Sequence, residues 1–184
     1  MKSLPLILFA LVSLAQWAAP LSQIFRYEQT LAKGTLIRLK CSAPDPYDPL
    51  RGRYLAVRPE QDDVALAKGT KLRSGQHAYA TLKTGSDGLT TLGELFAEPP
   101  TSGDYVGVTY SYWVTETTAH IEWPFDRFYL NEALAPEADK WFAESIRNSK
   151  GVVAEVRVHD GTAVLENLTF DGQSFRDILK QRVK

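Results

Sequence analysis

Acidic side chains near two proline-rich turns are the residues of this chain best suited to acid–base catalysis. General acid–base catalysis needs two carboxyl groups with separated pKa values in one cleft. The candidates are Asp45, Asp48, Asp104, Asp126 and Glu132. Asp45 and Asp48 adjoin prolines, and an aspartate at such a turn commonly hydrogen-bonds its own backbone. We therefore favour a turn-forming role for these two acids, with carboxylate catalysis as the alternative.

The sequence shows no recognisable nucleophile with an adjacent base. It contains no Gly-x-Ser-x-Gly motif and no glycine-rich phosphate loop. Its single cysteine, Cys41, ends an alternating apolar run, which favours a buried and inert thiol. His77, His120 and His159 are far apart, with no two at metal-ligand spacing. We expect hydrogen-bonded or solvent-facing histidines, no metal site, no cofactor and no catalytic residue.

Charged and aromatic residues at two similar corners and in one aromatic segment form a candidate binding set. Its members are Asp48, Arg51, Arg53, Tyr54, Asp104, Tyr105, Asp126 and Arg127. If the two corners meet in space, Arg53 and Asp104 carry complementary charges. The aromatic segment 124–132 favours core packing, because aromatic side chains dominate core burial. A groove in which Arg127 and an aromatic platform hold a ligand or peptide is the alternative.

Both corners begin with Gly-x-Tyr after a proline-rich stretch, at residues 52–54 and 103–105. Proline fixes φ and glycine tolerates positive φ, so each corner is predicted to be a tight turn that begins a strand.

The N-terminal segment is apolar, and no charged residue lies between Lys2 and Arg26. Roughly 20 such residues span a bilayer, and Trp17 is placed for an interfacial contact. We expect residues 1–25 to form an anchor, 26–33 a polar connector and 34–184 an exported β-rich domain. A cleaved signal sequence is the competing interpretation.

Composition narrows the function classes. The chain of 184 residues has a formal net charge of −1, and its basic residues are scattered among acids. A nucleic-acid-binding domain normally shows a basic stripe, so we expect no nucleic-acid partner. One cysteine excludes an internal disulfide.

Hydrophobic periodicity predicts an α+β fold that is mostly antiparallel β. Residues 35–41 alternate with period two, and Val106, Val108, Tyr110, Tyr112 and Val114 are predicted to share one strand face. Further strands are predicted at 54–58 and 119–123, and residues 64–68 and 71–73 are predicted to form short strands or an irregular hairpin. Turn signals predict a hairpin of 76–83 with 89–96 and another of 152–159 with 162–170.

Two further helical regions are predicted. One is inserted after the aromatic segment, at 131–134 and 136–149, with Pro136 in its first turn. The other is a short C-terminal helix at 174–183, with Ser174 and Asp177 as a variant capping box.

Three segments resemble the bacterial GDYXXLXY family. Residues 103–110, Gly-Asp-Tyr-Val-Gly-Val-Thr-Tyr, resemble its signature, with Val108 where the pattern has Leu. Residues 45–55 are similar to its Asp-Pro-rich, Arg-Gly-Asp-Tyr segment, with Arg53 in place of Asp and Pro59 in place of the final Tyr. Residues 124–132 are similar to its Phe-Tyr-(Val/Met)-(Pro/Asn)-Glu segment.

The resemblance covers most of residues 34–172. It implies a membrane-anchored bacterial protein with one N-terminal span, in contact with the bacterial inner membrane through residues 4–25, and an exported domain. The family carries no assigned activity, so no catalytic residue is transferred to this chain. We expect a non-enzymatic binding or interaction module facing the periplasm, with a membrane or periplasmic protein as partner. The alternative is an envelope hydrolase that uses carboxylate acid–base chemistry.

Overall fold

The computed structural model describes residues 4–42, 54–129, 151–170 and 172–182. The elements in these ranges are α1 (Leu4–Lys33), β1 (Thr35–Ser42), β2 (Tyr54–Ala56), β3 (Arg58–Pro59), β4 (Asp63–Leu66), β5 (His77–Thr84), β6 (Thr90–Phe96), β7 (Tyr105–Thr115), β8 (Thr118–Glu122), β9 (Arg127–Tyr129), β10 (Val152–His159), β11 (Thr162–Phe170), β12 (Gln173–Ser174) and α2 (Phe175–Arg182).

The strands form an open sheet, a small barrel and a two-stranded ribbon. The open sheet has the order β12–β11–β10–β1–β3, and the ribbon pairs β2 with β9. The barrel has the order β4–β6–β5–β7–β8 and closes because β4 pairs parallel to β6 and antiparallel to β8. The prediction of a mostly antiparallel α+β fold with an N-terminal helix and a short C-terminal helix is confirmed. The inserted helix predicted at 131–149 lies outside the described residues.

The alternating pattern of β1 positions one face of the open sheet in the core. Ile37, Leu39 and Cys41 are buried, whereas Arg38 and Lys40 face solvent. This confirms the predicted half-buried strand. Burial raises the pKa of the Cys41 thiol to about 12, so the expectation of an inert thiol is also supported.

Local turn chemistry sets both predicted hairpins. Asp160 and Gly161 have φ of 46° and 75°, which is the left-handed pair that a two-residue hairpin turn requires. The β10–β11 hairpin therefore forms as predicted, and β5 pairs with β6 as the other predicted hairpin.

Strand β7 departs from its predicted regular alternation. Val106, Val108 and Tyr110 are buried, but Tyr112 and Val114 are exposed. The register against β8 shifts between Tyr110 and Tyr112 and again between Trp113 and Thr115. Such bulges place an extra residue against the partner strand and re-aim the side chains that follow. The predicted shared face is therefore correct only for the first half of the strand.

A single apolar core joins the barrel to the open sheet. Its most completely buried large side chains include Leu95, Tyr110, Ile121, Leu168, Phe170 and Phe175. The strand predicted at 71–73 is absent, and α2 begins at Phe175 because Ser174 still pairs within β12. The Ser174 hydroxyl hydrogen-bonds the Asn167 side chain across the sheet edge.

Candidate functional site

The last turn of α1 is fixed to the open sheet. Thr30 is buried, and its carbonyl accepts a hydrogen bond from the Gly34 amide at 2.9 Å. A Cβ atom on Gly34 would collide with the Thr30 carbonyl and lie 3.0 Å from the Val158 carbonyl, so only glycine fits between helix and strand. Arg157 Nη1 donates to the Gly34 carbonyl at 3.2 Å. The helix direction is therefore set by the sheet.

The rest of α1 is exposed and apolar. From Ile7 to Phe25 its large side chains, including Phe9 and Trp17, have no covering element in the described part of the chain. The helix is long and apolar enough to cross a membrane. At about 1.5 Å per residue, residues 4–25 supply about 33 Å, which matches a hydrocarbon core of about 30 Å. Residues 26–33 continue the same helix for about 12 Å, so the predicted polar connector is helical.

Part of the candidate binding set lies on the two-stranded ribbon. Asp48, Arg51 and Arg53 fall outside the described residues, so the proposed Arg53–Asp104 pair stays a prediction. Tyr54 pairs with Tyr129 and Ala56 pairs with Arg127 across β2 and β9. The first corner strand and the aromatic segment therefore meet, as two strands of one ribbon.

The ribbon uses its aromatic residues mainly for packing. Phe128 is 2% exposed and its ring centroid lies 6.2 Å from that of Phe175. Phe125 packs against the core, whereas Tyr129 is 67% exposed. The Asp126 carboxylate lies 3.4 Å from Arg127 Nε. The backbone carbonyl of Asp126 accepts a hydrogen bond from the Val57 amide at 2.8 Å. Core packing, the favoured interpretation of this segment, accounts for Phe125 and Phe128.

The second corner lies on the barrel instead. Gly103 has φ of 84°, which a residue with a side chain rarely adopts, and the Asp104 carbonyl accepts a hydrogen bond from the Leu82 amide at 2.9 Å. The half-buried Tyr105 ring contacts Tyr79 edge-on, with 5.7 Å between centroids. Asp104 and Asp126 thus directly precede strands of different sheets, β7 of the barrel and β9 of the ribbon.

Tyr105 also covers the β10–β11 turn. A Cβ atom on Gly161 would lie 3.0 Å from Tyr105 Cε2, and Val106 forms an isolated bridge with Gly161. The Gly-Asp-Tyr corner therefore connects the barrel to the open sheet, which is a structural role.

Two surface grooves of about 290 Å³ each accompany these elements. One lies between the open sheet and the barrel and is lined by residues that include Leu39, Lys40, Asp87 and Trp123. The other lies on the outer face of the open sheet beside Glu155 and Arg157. Neither Asp104 nor Arg127 lines either groove, so these candidates do not converge on one of these concavities.

A cluster that the sequence analysis missed lies at the seam of the barrel. His120 on β8 lies opposite Asp63 on β4, and its Nδ1 is 2.8 Å from Asp63 Oδ1 and 3.8 Å from Asp62 Oδ1. Comparing only histidine–histidine spacings could not find it, because the partners are carboxylates 57 or more positions away. Among the described residues, this cluster is the arrangement suited to hold a metal ion. Chemically, it offers one imidazole nitrogen and two carboxylates.

The comparisons with known proteins yield one family match. The model of the GDYXXLXY protein family matches residues 16–168, from the middle of α1 into β11. Comparisons with curated proteins and with solved structures each find no match. Because the family match spans most of the chain, the protein belongs to the GDYXXLXY family, whose biochemical role is uncharacterised.

Proposed function

We propose that the protein is a single-pass, membrane-anchored binding module of the bacterial envelope, whose β-rich domain faces the periplasm and has no enzymatic role. The observation that carries the proposal is the exposed apolar length of α1, continuous with a terminal turn that is packed into the domain. Exposed apolar surface of this extent is unfavourable in water and marks contact with lipid or protein. We infer that residues 1–25 form an uncleaved anchor and residues 34–184 the exported domain.

The junction between helix and sheet supports a domain held close to the bilayer. If residues 4–25 occupy the hydrocarbon core, only about 12 Å of helix separates the domain from it. Gly34, which accepts a hydrogen bond from Arg157 and lies against Val158, attaches that short length to β10, so the domain keeps a fixed orientation rather than hanging on a flexible linker. A module held in this way presents one constant surface to other envelope components.

The orientation is inferred from the charge that precedes the span. Lys2 precedes the span and Arg26 and Lys33 follow it; we place Lys2 in the cytoplasm, where positive groups beside a span tend to remain. The β-rich domain then lies on the opposite side of the inner membrane.

A protein partner in the membrane or periplasm is the partner class we favour. Tyr112, Trp113 and Val114, three consecutive residues after the β7 bulge, expose apolar side chains beside the β7–β8 turn. Aromatic residues of this kind are enriched at the centres of protein interfaces. Phe125 and Phe128 of the aromatic segment pack in or against the core, so this part of β7 is the better contact surface.

Cysteine labelling in intact cells tests the orientation. The native Cys41 is buried, so the chain provides a low background for an introduced thiol. Ser86→Cys, on the exposed β5–β6 turn, should react with a membrane-impermeant maleimide once the outer membrane is permeabilised. Ser3→Cys, which keeps Lys2, is the matched control and should react only after the inner membrane is lysed. Protection of Ser86→Cys with labelling of Ser3→Cys would overturn the proposed orientation.

Photo-crosslinking tests the partner. A photoreactive residue at Trp113 should capture a discrete envelope protein, whereas the same residue at Ser86 should not. Equal capture at both positions, or none at Trp113, would argue against this contact surface.

A further inference from the structure

We propose that Asp62, Asp63 and His120 bind a divalent transition-metal cation at the seam where β4 meets β8. The three ligand atoms all lie within 4.8 Å of one another. The side chains of His120, Asp62 and Asp63 are 17, 24 and 50% exposed, so the cluster is partly enclosed yet open to an ion from solvent.

The spacing of the ligand atoms fits a tetrahedral ion. With metal–ligand bonds of about 2.0–2.2 Å, two ligands of such an ion lie about 3.4 Å apart. The observed separations from His120 Nδ1 are 2.8 Å to Asp63 Oδ1 and 3.8 Å to Asp62 Oδ1, one on each side of that value. Side-chain shifts of about half an ångström would bring these two separations to that value.

The backbone already fixes the positions of the three residues. Asp63 and His120 are directly paired in the antiparallel β4–β8 ladder. The Ile121 amide donates a hydrogen bond to the Asp62 carbonyl at 2.8 Å, which holds the residue before β4 beside the same strand. Ligands carried by paired strands are placed more reproducibly than ligands carried by loops.

Neighbouring side chains orient the ligands. Arg58 Nη2 contacts Asp62 Oδ2 at 2.7 Å, which leaves Oδ1 directed toward His120. The Tyr112 ring stacks on the imidazole with 4.7 Å between centroids and 17° between planes. Hydrogen-bonded carboxylates and a histidine ring fixed in its plane are the outer contacts that metal sites use.

Asp62 Oδ1 approaches His120 Nδ1 only to 3.8 Å, beyond hydrogen-bond distance, and within the described ranges no donor bonds it. A simple Asp63–His120 hydrogen bond needs only two of the three groups and gives Asp62 Oδ1 no role. An ion held by all three accounts for its direction.

The donor set selects the class of ion. One imidazole nitrogen and two carboxylate oxygens suit zinc, cobalt, manganese or iron(II) better than magnesium or calcium, which prefer all-oxygen sites. Arg58 offsets one of the two carboxylate charges, so a divalent ion meets a local charge close to −1. Three protein ligands leave a further position for water or for a partner's side chain.

Titration of the full chain in detergent micelles tests the site. After treatment with chelator and dialysis, the protein is titrated with Zn²⁺, with Co²⁺ and, separately, with Mg²⁺. We expect one Zn²⁺ per chain, a visible Co²⁺ spectrum of four-coordinate type, and at least tenfold weaker binding of Mg²⁺. The thermal unfolding midpoint should rise with Zn²⁺ concentration, because an ion that binds only the folded state stabilises it.

Two variants and a matched control identify the ligands. Asp62→Asn and His120→Asn should each weaken Zn²⁺ binding at least tenfold. Asp62→Asn is the sharper test, because it leaves the Asp63–His120 hydrogen bond intact and should not disturb folding. His159→Asn removes the histidine of another His–Asp pair, 3.6 Å from Asp160, and should bind Zn²⁺ as the unchanged chain does.

Three outcomes would overturn the inference: no saturable binding of Zn²⁺ or Co²⁺, binding that Asp62→Asn leaves unchanged, or equal loss in His159→Asn. The inference is independent of the proposed membrane role, since failure of the titration would leave the anchor and its orientation untouched.

Discussion

The amide of Gly107 donates a hydrogen bond of 2.8 Å to the carbonyl of Gly161, joining β7 of the barrel to the β10–β11 turn of the open sheet. The two backbone segments approach so closely that a Cβ atom on Gly107 would lie 3.1 Å from that carbonyl and 2.8 Å from the His77 ring. The segment 103–110, which resembles the family signature, thus contains in Tyr105 and Gly107 two residues that join the barrel to the open sheet.

Substitution of Gly107 should weaken this junction. Gly107→Ala forces the Gly161 backbone or the His77 ring to move, and overpacking of this kind costs about 1–3 kcal/mol in the free energy of unfolding. Chemical denaturation measures the change. Gly151→Ala is the matched control, because among the described residues no atom lies within 4 Å of the new methyl group. Equal effects of the two substitutions would refute the role assigned to Gly107.

The left-handed corner at Gly103 should discriminate between alanine and asparagine. With φ of 84°, Gly103→Ala should cost about 1 kcal/mol or more, since its Cβ is strained there. Asparagine visits left-handed backbone more readily, so Gly103→Asn should cost less. Thermal unfolding of both variants is the measurement. A larger loss for asparagine than for alanine would contradict the backbone argument.

The two neighbouring aromatics of the ribbon should differ in their effect on stability. Phe128→Ala removes a buried ring that packs on Phe175. The Arg176 guanidinium carbon lies over the same Phe128 ring, 5.3 Å from the ring centroid. The expected loss is about 3–5 kcal/mol in the free energy of unfolding. Tyr129→Ala, at an exposed position, should cost under about 1 kcal/mol. Similar losses would show that the ribbon is not organised around Phe128.

The buried thiol should be chemically silent in the folded protein. Burial raises the pKa of Cys41 from its ordinary 9.0 to about 12, so almost no thiolate exists at pH 8. Iodoacetamide should alkylate Cys41 only after denaturation, and rapid alkylation of the native chain would contradict its burial.

The same shift predicts how stability depends on pH. Because the folded-state pKa lies above the unfolded value, the contribution of the neutral thiol is fully present below about pH 9 and is lost as the pH rises toward 12. Between pH 9 and pH 11, the free energy of unfolding of Cys41→Ala should therefore fall less than that of the unchanged chain. Chemical denaturation at each pH measures this difference.

Local signals made much of the fold predictable. The period-two run of β1 and the Asp160–Gly161 turn depend on neighbouring residues, so the sequence alone located both the buried face and the hairpin. The bulges of β7 were not predictable, because they arise from its pairing with β8 rather than from its own alternation.

The candidate site was largely unpredictable for the same reason. Asp63 meets His120 only because β4 closes the barrel against β8, and no spacing within either strand signals that pairing. Asp104 and Arg127 belong to one candidate binding set in the sequence, yet the strands they adjoin, β7 and β9, lie in separate sheets. The Gly-x-Tyr corner at 103–105 was correctly predicted to begin a strand, while its contact with Gly161 required the three-dimensional fold.

The most direct test of the account is the fate of α1 in native membranes. We predict that the chain with its N-terminal residues intact, shown by mass measurement, stays in the membrane pellet after extraction with alkaline carbonate. Leu11→Arg together with Leu14→Arg, in the middle of the span, should release it from the pellet, because a central arginine raises the insertion free energy by about 3 kcal/mol. Recovery of the unaltered chain in the soluble fraction, or of a shortened chain that lacks residues 1–25, would contradict the account.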